Sequence, residues 1–337
     1  MIIEYPEYFE RFRCIGGACP DTCCAGWEVD IDPDSAEYYK TVSGEFGERL
    51  RSHISEEDGE CYFPLTKNNR CPFLNSKNLC DIYSKLGEES LCQTCTEYPR
   101  YFMDIGSYEQ MDMSLSCMEL GRIFYTETNK IEYIRSENDV EGDPISSEEQ
   151  ETLIEVLSLR NRCIAVMQDS SLSFPAKMEK VRALVSEAQG EDPSERDRSR
   201  AFLKEDYRAL TGILDSMDSI NCEWSEKLNL YKKLSGSLDK LSEIDTFISE
   251  NRENLELWMS KTAIYFIFRY FIDTCLDGDI EIELCLLHRS LKLIFFMLFA
   301  EWIHKGSVHV SDMIYVSHLF SKEVEHDDSN IAKIKNL

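Results

Sequence analysis

Along the chain, apolar and polar positions follow two different regimes. From about residue 146 onward the apolar residues recur at helical intervals, beginning with "SSEEQETLIEVLSLRNRCIAVM", where Ser147 and Gln150 have the spacing of a capping box ahead of the periodic run. The pattern predicts further helices near 175–189, 194–218, 223–241, 244–276, 279–304 and 308–322, with breaks at "GEDPS", "DGD" and "HKGS". Two stretches, "AIYFIFRYFI" and "LIFFMLFAEWI", are apolar nearly all round, which predicts central buried helices; a partner groove is the alternative. Before residue 140 the pattern is broken. Short apolar pieces alternate with turn chemistry such as "IGGACPD", "DIDPD", "EEDGE" and "KNNRCP", which predicts a core of little regular structure held together by metal. Local helices are expected at "DSAEYYKTVSGEFGERLRSHI", with Asp34 as its N-cap, and at "SCMELGRIFYTETNK". The expected fold class is therefore mainly α: a cysteine-rich, irregular, metal-binding region over 1–140, then an all-α helical region over 141–337.

Composition refines this picture only a little. The chain has 337 residues, 43% hydrophobic and 29% charged, a globular composition that suits one large domain or two ordinary ones. Its formal charge of −27 argues against nucleic-acid binding, which needs a phosphate-neutralising surface. A basic, lysine-presenting partner fits that field, as does simple solubility. The first residues, "MIIEYPEYFERF", have no basic leader, and the most apolar stretch, "SLKLIFFMLFAEWIHKG", carries Lys292 and Glu301, so no membrane span is expected. The expectation is a soluble, cytoplasmic protein whose thiols stay reduced. Neither a dinucleotide fingerprint nor a phosphate-binding loop is present.

The cysteines change the picture more. Ten of the 14 lie within residues 1–117, and nine of these fall in short clusters: Cys14, Cys19, Cys23 and Cys24; Cys71 and Cys80; Cys92 and Cys95; and Cys117, with Cys61 nearby. In a reducing compartment such clusters point to metal before disulfides. The Cys92–Cys95 spacing lets two sulfurs converge on one ion or on two irons of a cluster. Side chains of the vicinal pair Cys23 and Cys24 diverge more readily, so they bind different metal atoms, or one binds while the other packs. His53 is the only histidine before His288, so the site is thiolate-rich, which suits structural zinc or an iron–sulfur cluster without separating them. Cys163, Cys222, Cys275 and Cys285 read as small buried hydrophobes, and Cys285 with His288 is weak evidence for a metal.

The series "FRCIGGACPDTCCAGWEVDID", "CPFL", "LCDIY", "LCQTCTEYPR" and "LSC", spanning residues 12–117, resembles the signature of the flagellin lysine N-methylase family, a branch of the cysteine-cluster proteins described as zinc- or iron-chelating. The resemblance implies methyl transfer from S-adenosylmethionine to lysine side chains of flagellin, with the cysteines holding a [4Fe–4S] cluster. A metal atom lacking a cysteine ligand could act as a Lewis-acid template for the cofactor, or the metal could be structural. The radical enzymes' C-x-x-x-C-x-x-C loop is not matched: Cys19 and Cys23 have its first spacing, but Cys24 follows at once and position 26 is Gly26. Polar methyl transfer is therefore favoured, with in-line approach of a neutral amine. In "YPR", directly after the Cys92–Cys95 loop, Tyr98 is the candidate to accept or relay the amine proton and Arg100 the candidate to bind the cofactor carboxylate. Packing of Tyr98 and ordinary ion pairing of Arg100 are the alternatives. In "GWEVDID", Trp27 is placed to shield the metal, while Asp30 or Asp32 caps a turn. A reading from another class is a zinc-stapled adaptor without catalysis.

Overall fold

The structure, a computed structural model, describes residues 1–190, 207–217, 219, 220, 222–237, 240 and 242–336. Its described part is mainly helical and divides into two compact units that are each discontinuous in sequence. Residues 11–101 and 113–120 form the cysteine-rich unit, while residues 1–10, 102–112 and 121–337 cluster in the other, larger one.

The cysteine-rich unit is more regular than its turn-laden sequence suggests. A three-stranded antiparallel meander joins β2 (Val29–Ile31), β3 (Ser55–Glu57) and β4 (Glu60–Phe63), with β4 in the centre. Strand β2 alternates buried Val29, exposed Asp30 and buried Ile31, as a half-covered strand requires. Its inner face joins Tyr39, Leu50, Phe63, Phe73 and Ile82 in one apolar core, to which Cys71 and Cys92 also belong. The helix expected from Asp34 to Ile54 is two helices, Pro33–Thr41 and Gly44–Ser52, parted at Val42 and Ser43. Gly44 turns the chain there with φ of +76°, and a side chain on Gly47 would strike the Val42 carbonyl, so only glycine permits the tight corner. The N-cap is Asp32 rather than Asp34, because Pro33 takes the first helical position and leaves the preceding carboxylate to accept from Ser35 N at 2.9 Å.

In the larger unit, residues far apart in sequence build a four-stranded sheet in the order β5 (Arg100–Ile105), β6 (Tyr108–Met113), β1 (Ile2–Pro6), β7 (Tyr133–Glu137). Strand β1 pairs parallel with β6, Ile2 opposite Tyr108, and antiparallel with β7, Ile2 opposite Glu137. The expectation of little regular structure is thus corrected in both units, since strands this short and this scattered carry almost no local signal.

The helical expectations hold more closely. Ser147–Met167 begins with a capping box, but one residue earlier than the spacing suggested, between Ser146 and Glu149. Phe174–Ala188, Cys222–Ser235, Ile280–Lys305 and Val310–Phe320 follow the periodicity, while the run 244–276 is interrupted at Asn251 and again at Phe271. Of the helix expected over 194–218, residues 194–206 lie outside the described residues and Tyr207–Leu214 is helical. In Arg252–Tyr270 every residue from Trp258 to Tyr270 is buried, and Ile280–Lys305 is buried on nearly all sides, so these are the central helices of the unit and not an open groove. A last helix, Asp328–Lys335, was not anticipated; the Asp327 carboxylate caps it through Ser329 N and Asn330 N. Among the described residues no helix is long and apolar enough to cross a membrane.

Candidate metal centre

Within the cysteine-rich unit the backbone delivers the thiols from three directions. The first segment, Cys14 to Gly26, makes a 3-10 turn at Gly16–Ala18 and then runs alongside residues 69–71. Gly26 N donates to Asn69 O at 3.1 Å and Cys71 N donates to Cys24 O at 2.8 Å, which places Cys24 beside Cys71. A Cβ on Gly17 would sit 2.7 Å from the Lys77 carbonyl, so glycine lets the Cys14–Cys19 turn approach the loop before Cys80.

The Cys71–Cys80 loop is closed by an isolated bridge between Leu74 and Cys80. Arg49 clasps its two ends: one guanidinium nitrogen donates to Pro72 O at 2.6 Å and another to the Asp81 carboxylate at 2.7 Å. Asp81 also accepts from Asn75 at 3.0 Å. The third segment holds Cys92, just before the short helix Gln93–Glu97, and Cys95 within it. Asp32 does double duty here. Besides capping the helix that follows it, its second oxygen accepts from Gln93 N at 2.8 Å, fixing the Cys92–Cys95 loop to the end of β2. Sequence reasoning left Asp32 as a generic turn residue; the Asp–Pro pair signalled the cap, but no local pattern signals the reach to Gln93.

The cysteines described are all free thiols. Cys80, Cys92 and Cys117 each immediately precede a helix, and backbone N–H groups of the following turn help to stabilise their thiolates. Burial works the other way, pushing the Cys71 thiol up to about 12 and the Cys117 thiol up to about 11. In two pairs one sulfur supports the other: a hydrogen bond from Cys23 brings Cys24 down to about 7, and one from Cys95 lowers Cys92.

The Cys14 and Cys117 thiols are among the groups that raise Cys23, and Cys92, Cys24 and Cys71 are among those that raise Cys95. Among the described residues no three His, Cys, Asp or Glu side chains converge tightly enough to hold a single metal ion. The donor set is all-sulfur, which fits a thiophilic metal.

Tyr98 and Arg100 flank this region as their place in the sequence suggests. The Tyr98 hydroxyl shares a hydrogen bond with Ser116 Oγ at 2.9 Å, and its ring lies 5.8 Å from that of Trp27. Burial first, then the nearby Cys23 and Cys117 thiols, raise its pKa well above that of an ordinary tyrosine, so it remains a protonated phenol. The Arg100 guanidinium lies over the Phe12 ring at 5.6 Å. Cys61 packs against the apolar core from β4, Cys163 is fully buried in the larger unit, and His288 is held neutral there by burial. Cys222 starts a helix; its side chain lies outside the described residues.

Comparison with known proteins finds matches to part of the chain. Residues 242–337 match the FliB lysine N-methylase C-terminal domain. A 128-residue stretch is 30% identical to the Lysine-N-methylase of Salmonella typhimurium, covering 36% of this chain and 31% of that protein. Both matches support the lysine N-methylase family for the stretches they cover. A segment of the same length is 29% identical to the Lysine-N-methylase of Salmonella choleraesuis, over 31% of it, and to the Flagellar biosynthetic protein FliU of Salmonella muenchen, over 75% of it. The match thus spans less than a third of the two Salmonella lysine N-methylases. No solved structure matches the chain.

Proposed function

We propose that this protein is a protein-lysine N-methyltransferase that takes its methyl group from S-adenosylmethionine, acts on lysines of flagellin, and holds an iron–sulfur cluster in its cysteine-rich unit. The observation that carries the reading is the combination of the family match over residues 242–337 with nine thiols gathered in a separately folded unit. The relatives' names supply lysine methylation and a flagellar context. The formal charge of −27 favours approach of a lysine-bearing surface over roughly a Debye length of ~10 Å at moderate salt.

Chemically the reaction needs little beyond positioning. A neutral lysine amine attacks the sulfonium methyl carbon in line; the N–C bond forms as the C–S bond breaks, S-adenosylhomocysteine leaves, and the amine proton is released. Tyr98, held as a phenol, serves this by orienting a partner through its hydroxyl, not by taking the proton. Arg100 offers charge beside the same loop, half-buried over Phe12. When bound, the cluster would supply Lewis-acid anchoring for the cofactor or cohesion for a unit with a small core. Its ligands would come from Cys14, Cys19, Cys23, Cys24, Cys71, Cys80, Cys92, Cys95 and Cys117.

The test is anaerobic purification followed by incubation with flagellin and S-adenosylmethionine, with mass spectrometry of the flagellin. Methylated lysines are expected only with the metal-loaded protein. Absence of methylation by protein that contains iron and sulfide would remove the function. Zinc in place of iron, with no methylation, would favour an adaptor stapled by metal.

A further inference from the structure

We infer that the four-stranded sheet of the larger unit holds the protein substrate on the face turned away from the helices, where a lysine stem lies on Ile3, Met111 and Ile134 and its ammonium meets Asp104 and Glu109. The inference rests on the reading of the protein as a lysine methyltransferase and extends it to the grip on the substrate, not to the transfer step.

Alternation along the strands separates the two faces. Tyr108 and Gln110 on β6 and Glu4 on β1 are buried and turn toward the helices, where all three bond Arg160. On β7, Tyr133 points the same way, its ring stacked on that of Phe268 at 4.5 Å. The residues between them therefore point outward: Ile3 on β1, Glu109 and Met111 on β6, Ile134 on β7. Register agrees, since Ile3 lies opposite Glu109 and Tyr5 opposite Ile134. On β5, Met103 and Ile105 join Tyr108 in an apolar cluster, which leaves Phe102 and Asp104 on the outward side. Ile3, Met111 and Ile134 are only half-buried, and Phe102 is 38% exposed. The Phe9 ring lies 6.3 Å from that of Phe102 and 5.6 Å from that of Tyr5, so aromatic surface runs across the face from β5 to β1. An uncovered sheet face is ordinarily polar; a contiguous apolar strip there marks an interaction surface.

Charge selects the occupant. The two-residue turn Gly106–Ser107 between β5 and β6 sets Asp104 opposite Glu109. Asp104 is exposed and Glu109 half-buried, and among the described residues neither has an ion-pair or hydrogen-bond partner. Partial burial, then the Asp104 charge, raises the Glu109 pKa, as expected of like charges facing across a hairpin. None of the outward positions named above carries a cation. An apolar strip edged by two facing carboxylates suits lysine, whose four-carbon stem packs on apolar surface while its ammonium stays at the polar edge. An acidic partner would add repulsion to the pair, and a wholly apolar one would cover both carboxylates without compensation.

The experiment measures binding of purified flagellin by isothermal titration calorimetry, together with kcat and KM for its methylation. Asp104→Asn/Glu109→Gln is compared with wild type and with Glu56→Gln/Glu57→Gln, which removes the same charge from the exposed strand β3 of the other unit. The first variant should bind flagellin roughly three- to tenfold more weakly and raise KM in proportion with kcat unchanged, an effect that fades at high salt. The second should match wild type. Misfolding cannot produce that loss, because removing two facing like charges leaves the hairpin at least as stable, which a urea midpoint checks. Ile134→Thr keeps a strand-forming side chain and should weaken binding roughly threefold at every salt concentration. Equal losses in the two charge variants would assign the attraction to the general acidic field and overturn the docking face. No loss in the first variant, with wild type binding and methylating flagellin, would overturn the face and leave the methyltransferase reading standing. Self-association of wild type abolished by the first variant would give the face to a second copy and overturn the inference. Flagellin bound by wild type and released by the first variant, but never methylated, would support the face and remove the reaction.

Discussion

Replacing Arg160 by methionine should unfold the larger unit far more readily than its modest change in size implies. Arg160 lies on the helix Ser147–Met167 and is fully buried. Its guanidinium donates to the Glu4 carboxylate on β1, to Tyr108 hydroxyl at 2.9 Å and to the Gln110 side-chain oxygen on β6, and it lies 4.6 Å from the centre of the Phe268 ring. Tyr108 in turn donates to the same Glu4 oxygen at 2.7 Å. One cation therefore ties together two paired strands and two packed helices. Methionine keeps much of the stem's packing but strands Glu4 in the interior with only the tyrosine hydroxyl to face it.

Breaking a buried pair from one side costs about 3–5 kcal/mol, most of it the penalty of the charge left behind. For a unit of this size that corresponds to a midpoint about 6–20 °C lower. The asymmetry is the sharper test. Glu4→Gln together with Arg160→Met removes both charges, so the double variant should recover at least about 2 kcal/mol relative to the sum of the singles. Urea unfolding followed by far-ultraviolet circular dichroism gives the four free energies of the cycle, provided the slopes stay equal. An Arg160→Met loss below about 1 kcal/mol, or a coupling indistinguishable from zero, would refute the claim that this pair holds the sheet to the helices.

Other consequences are more local. His288 is buried neutral, its pKa pulled down to about 3 by burial and then by Arg182, so its folded value lies below the unfolded one near ~6.5. The stability it protects is present above ~6.5 and is lost as pH falls toward 3, by about 1.4 kcal/mol per unit; His288→Leu should flatten the stability profile between pH 6.5 and 4.5, and an unchanged slope in urea titrations would contradict this. Asp32→Ala removes the cap at Ser35 and the hold on Gln93 together, so the cysteine-rich unit should lose about 1–2 kcal/mol and, after reconstitution with the proposed metal, release it to a chelator faster than wild type; equal release rates would mean the loop is fixed otherwise. Tyr98→Phe keeps the ring beside Trp27 and drops the bond to Ser116, so methylation should retain its pH profile with stability down by about 1 kcal/mol, whereas loss of a rate-controlling ionisation would restore Tyr98 as the base.

What the sequence made legible divides along physical lines. The central helices could be read because burial on all sides leaves an unmistakable apolar run, and Ser146 with Glu149 marks a start that spacing alone misplaced by one residue. The four-stranded sheet could not, since β1 pairs with β6 across about a hundred residues and each strand holds only five or six, too few for a period to show. Asp328–Lys335 is similarly short and mostly polar, so its only signal was the Asp327 cap. At the thiols, the residue type declared the chemistry, because nothing but metal or oxidation calls for so many sulfurs in so little chain. Their grouping was hidden for a different reason. Cys24 and Cys71 are distant in sequence yet joined by the bond from Cys71 N to Cys24 O, so sequence proximity does not show which cysteine segments meet. The order of the cysteines carries the family resemblance, but only the backbone that threads Cys24 beside Cys71 and ties Gln93 to Asp32 shows which segments meet.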